Sequence, residues 1–506
     1  MKKIILLALC MAVSLFIVAQ KETSNWVFGY AAGLTWNTTR SVSLTGLLGT
    51  PNATLDGLPN SFTSAVYTYE GCFSLSDSNG NLLFYSDGTT VYNKNHAVMT
   101  NGDALTGGNS SAQSGIILPY PGRTNQYIAI TAGATRANNL SYSVIYMGAQ
   151  GGLGAVVSGQ KNIPFRNAMG YTGESVTVAR HSNGTDYWIL AIGQQTTAPS
   201  YINAWLLTST GVISTTPVVT TLPYAMSGNG SSGYLKISPD HRHFVWPTFL
   251  DQRFFYGDFD SSTGMFSNIK VITGLNDPYG VEFSPTQSCL YLTEVDGLTV
   301  FKFDELFSSA DPSSVTRKKY AITNSSVTAL QIGPDKRIYW VAMSQKYMRI
   351  IDNADDYDNM ALYQTPATFL SGEGKGGLPS FATSWFAIDT AKPASLLCVG
   401  NDFKFSITID MSGATANLPV SLSWDFGDGS TAVSQPVVSG TTVYQQSHTY
   451  STTGQYTVSI TPYKSDGTAL AKTTLPATAN VVECSFRTNR MIRHDMHNSA
   501  TKATNR

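Results

Sequence analysis

The sequence predicts an all-β protein: a seven-bladed β-propeller followed by an immunoglobulin-like β-sandwich. Two observations lead to this fold class. The 506 residues include 44 Gly, 26 Tyr and 23 Phe but only 13% charged residues, a composition typical of short strands joined by tight turns. In addition, a strand–turn–strand pattern recurs along the first part of the chain at the period of roughly 40–50 residues expected of propeller blades.

The propeller prediction rests on six repeated units. Each unit has a short strand, a polar turn of Pro, Asp, Asn or Gly, and a second strand rich in aromatic and β-branched residues. The units begin at Gly71, Ser114, Ser175, Gly233, Tyr279 and Thr328. A seventh blade is expected to be shared, with the strand from Asn25 pairing with the strand from Leu378, because such closure removes an open sheet edge. The propeller is therefore assigned to 25–388, with a helical turn only within 303–314.

The sequence pattern changes after the predicted propeller. Residues 389–394 are expected to be a linker containing Pro393, and residues 395–484 show the alternating pattern of half-buried sandwich strands. Residues 485–506 are basic and poor in large apolar side chains, so they are expected to form a flexible tail.

The N-terminus has the features of a secretory signal peptide. Two lysines precede an apolar run over 4–18 that is too short for a stable membrane span. Cleavage is expected after Ala19, so that 1–19 is the signal peptide and the protein is exported to the periplasm, the cell surface or the medium. A lipid anchor at Cys10 is the alternative, although the bulky Leu9 before it argues against one. No second apolar segment is long enough to cross a bilayer.

Charge and cysteine usage exclude several classes of partner and cofactor. The net charge of −1 gives no overall field that would favour nucleic acid. No CxxC pair, HExxH sequence, P-loop or dinucleotide-binding glycine run is present, so no cofactor is expected apart from the calcium considered below. The oligomeric state is left open.

Four cysteines remain in the exported chain, namely Cys72, Cys289, Cys398 and Cys484. Four scattered cysteines are not a disulfide framework. Cys398 and Cys484 flank the last domain and could pair. The first and last strands of a sandwich often run parallel, however, which is expected to put these two residues at opposite ends and to leave them free.

Two segments of the last domain closely resemble the signature of PKD domains. The first, "WDFGDGS", contains Trp424, Asp425, Phe426, Gly427, Asp428 and Gly429; the second, "HTYSTTGQYTVSI", contains His448, Tyr450, Gly454 and Tyr456. The resemblance covers about residues 393 to 484. It implies a seven-stranded sandwich that serves as a spacer or as a module contacting protein or carbohydrate, and it does not imply catalysis.

The first part of the chain also resembles a known group of proteins. Segments such as "NWVFGYAAGLTWN", "GYLKISPD" and "ALQIGPDKRIYW" are similar to the propeller-like N-terminal region of large Bacteroidetes surface proteins of the gliding-motility type. The similarity spans roughly residues 25 to 388. It implies a surface location but no defined ligand, and this chain departs from the larger relatives in showing no folded sorting domain.

Asp425 and Asp428 have two interpretations. As metal ligands, they would bring carboxylate oxygens to a calcium ion. As turn residues, they would accept hydrogen bonds from nearby backbone N–H groups, while Trp424 and Phe426 anchor the strand. The structural interpretation is favoured, because calcium needs more oxygen ligands than this run supplies.

Three further polar clusters suggest chemistry but have a structural explanation. They are Asp77 and Asp87 near glycines, His181 and Asp186 across a hairpin turn, and Asp240, His241 and His243 at alternate positions. A type I′ turn at Asn79–Gly80 accounts for the first, and a structural hydrogen bond accounts for the second. The two histidines of the third could share a strand face and bind a metal, but no third ligand is identifiable.

The expected function is that of a secreted or surface binding protein that is not an enzyme. The propeller face would contact a glycan or a surface protein, and the PKD domain would act as spacer or second contact. A carbohydrate-active hydrolase or lyase is one alternative, and a structural component of a surface assembly is another. Catalytic propellers collect Arg, Tyr, His and acids at the mouth of the central channel, so the residues that converge there distinguish these alternatives.

Overall fold

The computed structural model describes residues 21–134, 140–227, 232–322, 327–382, 397–399, 402–408, 418–438, 443–470 and 473–482. The chain divides into two compact units, Met1–Ile388 and Asp389–Arg506. Within the described residues almost all regular structure is β-strand, which confirms the all-β prediction. The helical elements described are α1 (Phe303–Ser308) and three 3-10 turns at Lys21–Thr23, Gln150–Gly152 and Pro312–Ser314.

Three strands open the N-terminal unit: β1 (Asn25–Phe28), β2 (Tyr30–Leu47) and β3 (Ala53–Tyr67). Six antiparallel sheets of successive strands follow within the described residues. The first consists of β4 (Phe73–Ser76), β5 (Leu82–Ser86) and β6 (Val91–Asn93). The second consists of β7 (Gly115–Pro119), β8 (Gln126–Thr131), β9 (Ser141–Tyr146), β10 (Ala155–Val156) and β11 (Ile163–Pro164).

The remaining four sheets have four successive strands each. The third consists of β12 (Tyr171–Arg180), β13 (Tyr187–Gln194), β14 (Ser200–Leu207) and β15 (Val218–Leu222). The fourth consists of β16 (Lys236–Ile237), β17 (His243–Thr248), β18 (Arg253–Asp260) and β19 (Met265–Thr273). The fifth consists of β20 (Val281–Phe283), β21 (Cys289–Glu294), β22 (Gly297–Lys302) and β23 (Arg317–Ala321). The sixth set is β24 (Leu330–Ile332), β25 (Ile338–Val341), β26 (Met348–Asp352) and β27 (Ala361–Gln364), which forms one seven-stranded sheet with β1, β2 and β3.

The two ends of this unit meet. β2 pairs with β1 and β3, and its last residues also pair with β27, with Thr45 opposite Gln364. The expected pairing of the strand from Asn25 with the segment from Leu378 is not formed among the described residues. Instead β1 pairs with β2, and the ring of Trp26 lies 6.2 Å from that of Phe381. Residues 383–388 lie outside the described residues, and the number of blades stays a prediction.

Large aromatic side chains fill the space between neighbouring sheets. Trp205, Trp246 and Trp340 are fully buried, and the ring of Phe254 in β18 stacks on that of Phe301 in β22 at 5.8 Å. Because each sheet is covered on both faces by its neighbours, its strands need apolar residues at successive positions rather than at alternate ones. This packing fixes the first strands of the sheets side by side, with contacts joining β4 to β7, β7 to β12, β12 to β16 and β20 to β24.

The C-terminal unit is a sandwich of two sheets. Its strands are β28 (Leu397–Cys398), β29 (Asp402–Thr408), β30 (Ser421–Asp425), β31 (Val433–Pro436), β32 (Val443–Thr449), β33 (Gly454–Tyr463) and β34 (Thr473–Val482). One sheet has the order β28-β34-β33-β30-β31, and the other pairs β29 with β32. Trp424, Tyr450, Val458 and Ile460 form the centre of its buried core. The immunoglobulin-like prediction is confirmed.

The register of the two outer strands corrects one inference about the cysteines. β28 and β34 are parallel neighbours, as expected, but Cys398 lies opposite Val482. The parallel arrangement therefore does not carry Cys398 away from the end of β34, because both strands finish at the same edge. Cys484 lies outside the described residues, so the pairing itself stays open. Cys72 and Cys289 are buried and free.

Candidate functional site

Polar side chains from several sheets meet where the first strands of the propeller sheets begin. We call this place the channel mouth and define it by Glu70, Glu174, Tyr234 and Tyr279. Glu70 and Tyr279 precede β4 and β20, Tyr234 precedes β16, and Glu174 lies in β12. Because the first strands contact each other side by side, residues at their beginnings converge even though up to two hundred positions separate them.

Two side chains make paired hydrogen bonds to the backbone of segments distant in sequence. The amide of Gln113 accepts from the Leu235 N–H at 2.8 Å and donates to the Leu235 carbonyl at 3.2 Å. The hydroxyl of Tyr234 donates to the carbonyl of Leu378 and accepts from its N–H, both at 3.1 Å. In each pair one side chain both donates to and accepts from the same backbone residue, as two residues of a β-ladder do.

Glu70 is an acid of the channel mouth whose pKa is strongly raised. Its Oε2 lies 3.3 Å from the Ser110 hydroxyl, which donates to it, and its backbone N–H donates to the Asn109 carbonyl. Burial and the charge of Glu174 raise the pKa of the Glu70 carboxyl to about 8, against the opposing effect of Ser110 and Tyr279. A carboxyl in this state carries a proton at neutral pH and can donate a hydrogen bond.

Tyr279 and Glu174 complete the surroundings of this carboxyl. Glu174 is 4% exposed, and its Oε2 accepts from the Ala112 N–H at 3.1 Å. Tyr279 is 3% exposed, and its hydroxyl faces Glu70 without the geometry of a hydrogen bond to any described group. Glu174 and Tyr279 thus act on the Glu70 carboxyl in opposite directions, the first raising its pKa and the second lowering it.

A second polar layer lies farther along the same strands and is fully paired. The Nζ of Lys236 lies 2.6 Å from the Oε2 of Glu282 and also donates to the Oε1 of Gln331 at 3.1 Å. The Glu282 carboxylate further accepts from the Ile332 N–H at 2.8 Å. Because Lys236 and Glu282 are both hydrogen-bonded within the unit, this layer acts as a structural ion pair rather than as a binding site.

The structure places the PKD acids in a turn. The Oδ1 of Asp425 accepts from the Gly427 N–H at 3.0 Å, and the Oδ1 of Asp428 accepts from the Ser430 N–H at 3.0 Å. The Oδ2 of Asp428 lies 2.7 Å from the Nε2 of His448. These contacts are those of the turn interpretation. Within the described residues no group of three or more His, Cys, Asp or Glu side chains could hold a metal, and the calcium alternative stays an untested prediction.

The rest of the PKD signature surrounds this turn. The ring of Phe426 stacks on His448 at 4.1 Å, and Tyr450 stacks on Tyr456 at 4.5 Å. The Tyr450 hydroxyl donates to the Phe426 carbonyl at 3.1 Å. Trp424 fills the core, while the backbones of Gly427 and Gly429 have φ values of 79° and 80°, and β33 begins at Gly454. The signature therefore works as a packing and turn unit.

The three other sequence-predicted clusters also make turns. Asp77 accepts from the N–H groups of Asn79 and Asn81, both at 2.9 Å. The expected type I′ turn at Asn79–Gly80 is wrong, because only Gly80 has a positive φ, of 90°, and a type I′ turn needs two such residues. Asp87 accepts from the N–H groups of Thr89 and Thr90, both at 2.8 Å.

The histidine clusters do not assemble a site. Asp186 accepts from Asn183 at 2.9 Å, and the His181 backbone N–H donates to the Asp186 carbonyl at 2.9 Å. His241 has a φ of 58° and lies in the turn before β17 rather than on the strand. It therefore does not share a strand face with His243, whose Nδ1 lies 3.5 Å from Asp240.

Sequence reasoning missed Glu70, Glu174 and Tyr279. Each stands just before or near the start of a repeated unit, in "YEGCF", "TGESV" and "DPYGV". Aligning the units on their turns brings these polar positions to the same end of the first strands, which was the available signal. Among the described residues, no helix has the length and apolarity needed to cross a bilayer.

Comparisons with solved structures return chains of propeller type. A proposed 6-phosphogluconolactonase from Bacteroides fragilis is 13% identical with a TM-score of 0.41, over 70% of this chain and 97% of that one. A similar protein from Bacteroides uniformis is 12% identical with a TM-score of 0.35, over 60% and 96%. A gluconolactonase from Xanthomonas campestris is 11% identical with a TM-score of 0.31, over 52% and 83%. No curated protein matches this chain.

These comparisons correct one expectation. The chain was expected not to be an enzyme because no catalytic constellation is visible in the sequence, but the similar structures include proteins named as lactonases. The fold class therefore gives no ground for excluding an enzyme, and likenesses of 10–13% identity carry neither activity nor substrate to this chain.

The C-terminal unit matches a known family. Residues 387–479 fit the family model described as PKD domain. The match covers the turn of Asp425 and Asp428 and the strands that flank it, and it fits an extracellular or surface protein. The chain is thus a propeller-type unit followed by a PKD domain, as its sequence predicts.

Proposed function

We propose that the N-terminal unit binds a carbohydrate at its channel mouth, and that the PKD domain serves as a spacer or second contact on the cell surface. The observation that carries this proposal is the Glu70 carboxyl, which is partly accessible and lies beside Glu174 and the Tyr279 hydroxyl. Sugar hydroxyls donate and accept hydrogen bonds at once, so neighbouring carboxyl and hydroxyl groups suit them.

The aromatic surroundings support the same class of ligand. Tyr69, next to Glu70, is 49% exposed, and Tyr67 is 62% exposed with its ring 5.5 Å from that of Tyr30. Exposed tyrosines present an apolar ring face together with a polar hydroxyl at little conformational cost. Such faces can stack on the C–H surface of a sugar ring while the carboxyls contact its hydroxyls.

The same carboxyl pair supports acid–base hydrolysis as a second candidate function. A glycoside hydrolase needs one carboxyl that holds a proton for the leaving group and a second that is ionised. Glu70 meets the first requirement at neutral pH, and Glu174 is the neighbouring carboxyl.

Glycan-array binding with the full exported chain tests the proposal. The wild-type protein is compared with Glu70→Gln, with Tyr279→Phe, and with Asp304→Asn as a control on an exposed site away from the mouth. Binding that the two mouth substitutions weaken and the control leaves unchanged supports recognition at the mouth. Binding by the isolated PKD segment alone would contradict it. Release of reducing sugar by wild type but not by Glu70→Gln would favour the hydrolase candidate.

A further inference from the structure

A break in the ladder between β2 and β3 leaves one backbone group without a strand partner. The pair of Ala32 with Thr63 is followed by a register shift, so that residues 64–66 of β3 oppose a single residue of β2. Such a bulge places its extra residues outside the ladder. The N–H of Ala65, in the middle of the three, donates instead to the hydroxyl of Tyr85 in β5 at 3.0 Å. A side chain of the first sheet thus completes the hydrogen bonding of β3.

The hydroxyl of Tyr85 belongs to a directional chain of hydrogen bonds. Its oxygen accepts from the Ala65 N–H, and it lies 2.8 Å from the Nδ1 of His96. A phenol has one hydrogen to donate. Among the described residues no other acceptor lies within hydrogen-bond distance of this hydroxyl, so it donates to His96. The Nδ1 atom is therefore an acceptor, and the neutral His96 ring carries its proton on Nε2.

The His96 ring lies among aromatic rings rather than charged groups. It stacks on the ring of Phe62 in β3 at 5.9 Å and lies 5.7 Å from the ring of Tyr85, which stacks on Tyr92 of β6 at 5.3 Å. The titratable groups of this cluster are Tyr85 and Tyr92, and Lys94 in the same turn as His96 is exposed. Burial lowers the pKa of His96 below its ordinary value of 6.5, with no contribution from a charged neighbour among the described residues.

We propose that His96 is an acid-sensitive latch between β3 and the first sheet, closed while its ring is neutral and opened when Nδ1 takes a proton. On protonation Nδ1 becomes a donor, so the hydroxyl of Tyr85 has to accept from both His96 and Ala65 and loses the acceptor for its own hydrogen. Tyr85 is fully buried, and an unsatisfied donor is costly there. The bond to the Ala65 N–H therefore weakens, and acid loosens the end of β3, which finishes at the exposed Tyr67.

Imidazole ¹⁵N spectra of the full chain, labelled at histidine, test the state of the latch. At pH 7.5 we expect Nδ1 of His96 to give the signal of an unprotonated acceptor and Nε2 that of an N–H, with protonation only below pH 6.5. His96→Gln assigns the signals. Tyr85→Phe removes the donor and should raise the pKa of His96 and let the Nδ1–H tautomer appear. Tyr92→Phe is the matched control, because it removes a hydroxyl of the same aromatic cluster that is not bonded to His96.

Amide hydrogen exchange of residues 60–67 tests the opening of the latch. After correction for the intrinsic pH dependence of exchange, protection of this segment should fall about threefold to tenfold between pH 7.5 and pH 5, the loss expected for one buried hydrogen bond. Tyr85→Phe should show the lower protection at both pH values, and Tyr92→Phe should behave like the wild type. Exchange in β8 serves as the internal reference and should not change in the same way.

Several outcomes would overturn the latch. An Nδ1–H tautomer in the wild type, or a His96 pKa of 6.5 or higher, contradicts the closed state. Protection of residues 60–67 that is independent of pH, or that falls equally in Tyr85→Phe, contradicts the opening. If Tyr85→Phe fails to fold, the titration of His96 and the exchange of the wild-type chain decide the question. Neither measurement uses a ligand, so the result is independent of the proposed carbohydrate binding.

Discussion

The Nε2 of His448 lies 2.7 Å from the Oδ2 of Asp428, and both side chains are largely shielded from water at 14% and 13% exposure. The two residues come from opposite halves of the PKD signature, twenty positions apart. The contact fixes the turn of residues 425–430 against β32. The paired acids that first suggest a metal site thus form a hydrogen-bonded corner of the sandwich.

Replacing Asp428 by Asn should destabilise the PKD domain. The change removes a charge-assisted bond to His448, and we expect the free energy of unfolding to fall by about 1–3 kcal/mol. Calorimetry of the full chain should show this as a shift of the PKD transition with the propeller transition unchanged. Asp466→Asn is the matched control, because Asp466 also caps a turn, through the Thr468 N–H, but is exposed. Equal shifts for both variants would contradict the special role of Asp428.

Low pH should lower the stability of the PKD domain at this same turn, residues 425–430. Hydrogen bonds from Ser430 and His448 lower the pKa of Asp428 to about 2, from an ordinary value of 3.8. The stabilisation is therefore complete above about pH 4 and is lost as the pH falls towards 2. Unfolding of the PKD domain measured between pH 2 and pH 5 should show this loss in wild type. A slope that persists unchanged in Asp428→Asn would count against the assignment.

The propeller should show the opposite pH dependence. The pKa of Glu70 is raised from 4.5 to about 8 in the folded chain, so the folded state binds the proton more tightly than the unfolded state. Its free energy of unfolding should therefore fall as the pH rises from about 4.5 to about 8, and stay level above that range. Glu70→Gln should flatten this slope in denaturant unfolding curves, whereas Asp304→Asn should leave it. An unchanged slope in Glu70→Gln would show that other groups cause it.

Two glycines at the same face of the unit should respond very differently to alanine. A Cβ on Gly297 would lie 1.9 Å from the Tyr320 carbonyl oxygen, whereas a Cβ on Gly274 would meet nothing within 4 Å. Both have positive φ, of 154° and 72°, so both pay a conformational cost of about 1 kcal/mol. Gly297→Ala should cost more than about 3 kcal/mol, because β22 and β23 must also separate. Similar melting temperatures for the two variants would refute this packing.

The buried pair of Lys236 and Glu282 should depend strongly on both partners. Lys236→Met leaves the Glu282 carboxylate buried without its cation and should cost about 3–5 kcal/mol. Adding Glu282→Gln removes the charge while keeping an acceptor for the Ile332 N–H, so the double variant should recover much of this loss. Urea unfolding of the three proteins measures the coupling. Additive losses would mean that the pair contributes no specific interaction.

Local features of this chain are predictable from a single segment, whereas long-range convergence can be predicted only when the repeated units are aligned with each other. The turn roles of Asp425 and Asp428 follow from neighbouring glycines and N–H groups, and the strand patterns follow from runs of aromatic and β-branched residues. The meeting of Glu70 with Tyr279 depends instead on how the first strands are arranged around the centre. No spacing within a single segment encodes that arrangement.

One long-range set did carry a readable signal. Lys236, Glu282 and Gln331 each stand three positions before the proline of their turn, in "KISP", "EFSP" and "QIGP". Equivalent positions in successive units face each other across the repeat. An alignment of the units on their turns therefore predicts this polar layer. The different strand pairing at the N-terminus had no such signal, because β2 pairs with three strands, β1, β3 and β27.

The hydrogen bonds between Tyr234 and the backbone of Leu378 constrain when the N-terminal unit can complete its folding. Leu378 lies near the end of the N-terminal unit in sequence. Its backbone is nevertheless hydrogen-bonded to the side chain of Tyr234, which precedes it by 144 positions. The interior of the N-terminal unit can therefore be completed only after almost the whole unit has been synthesised.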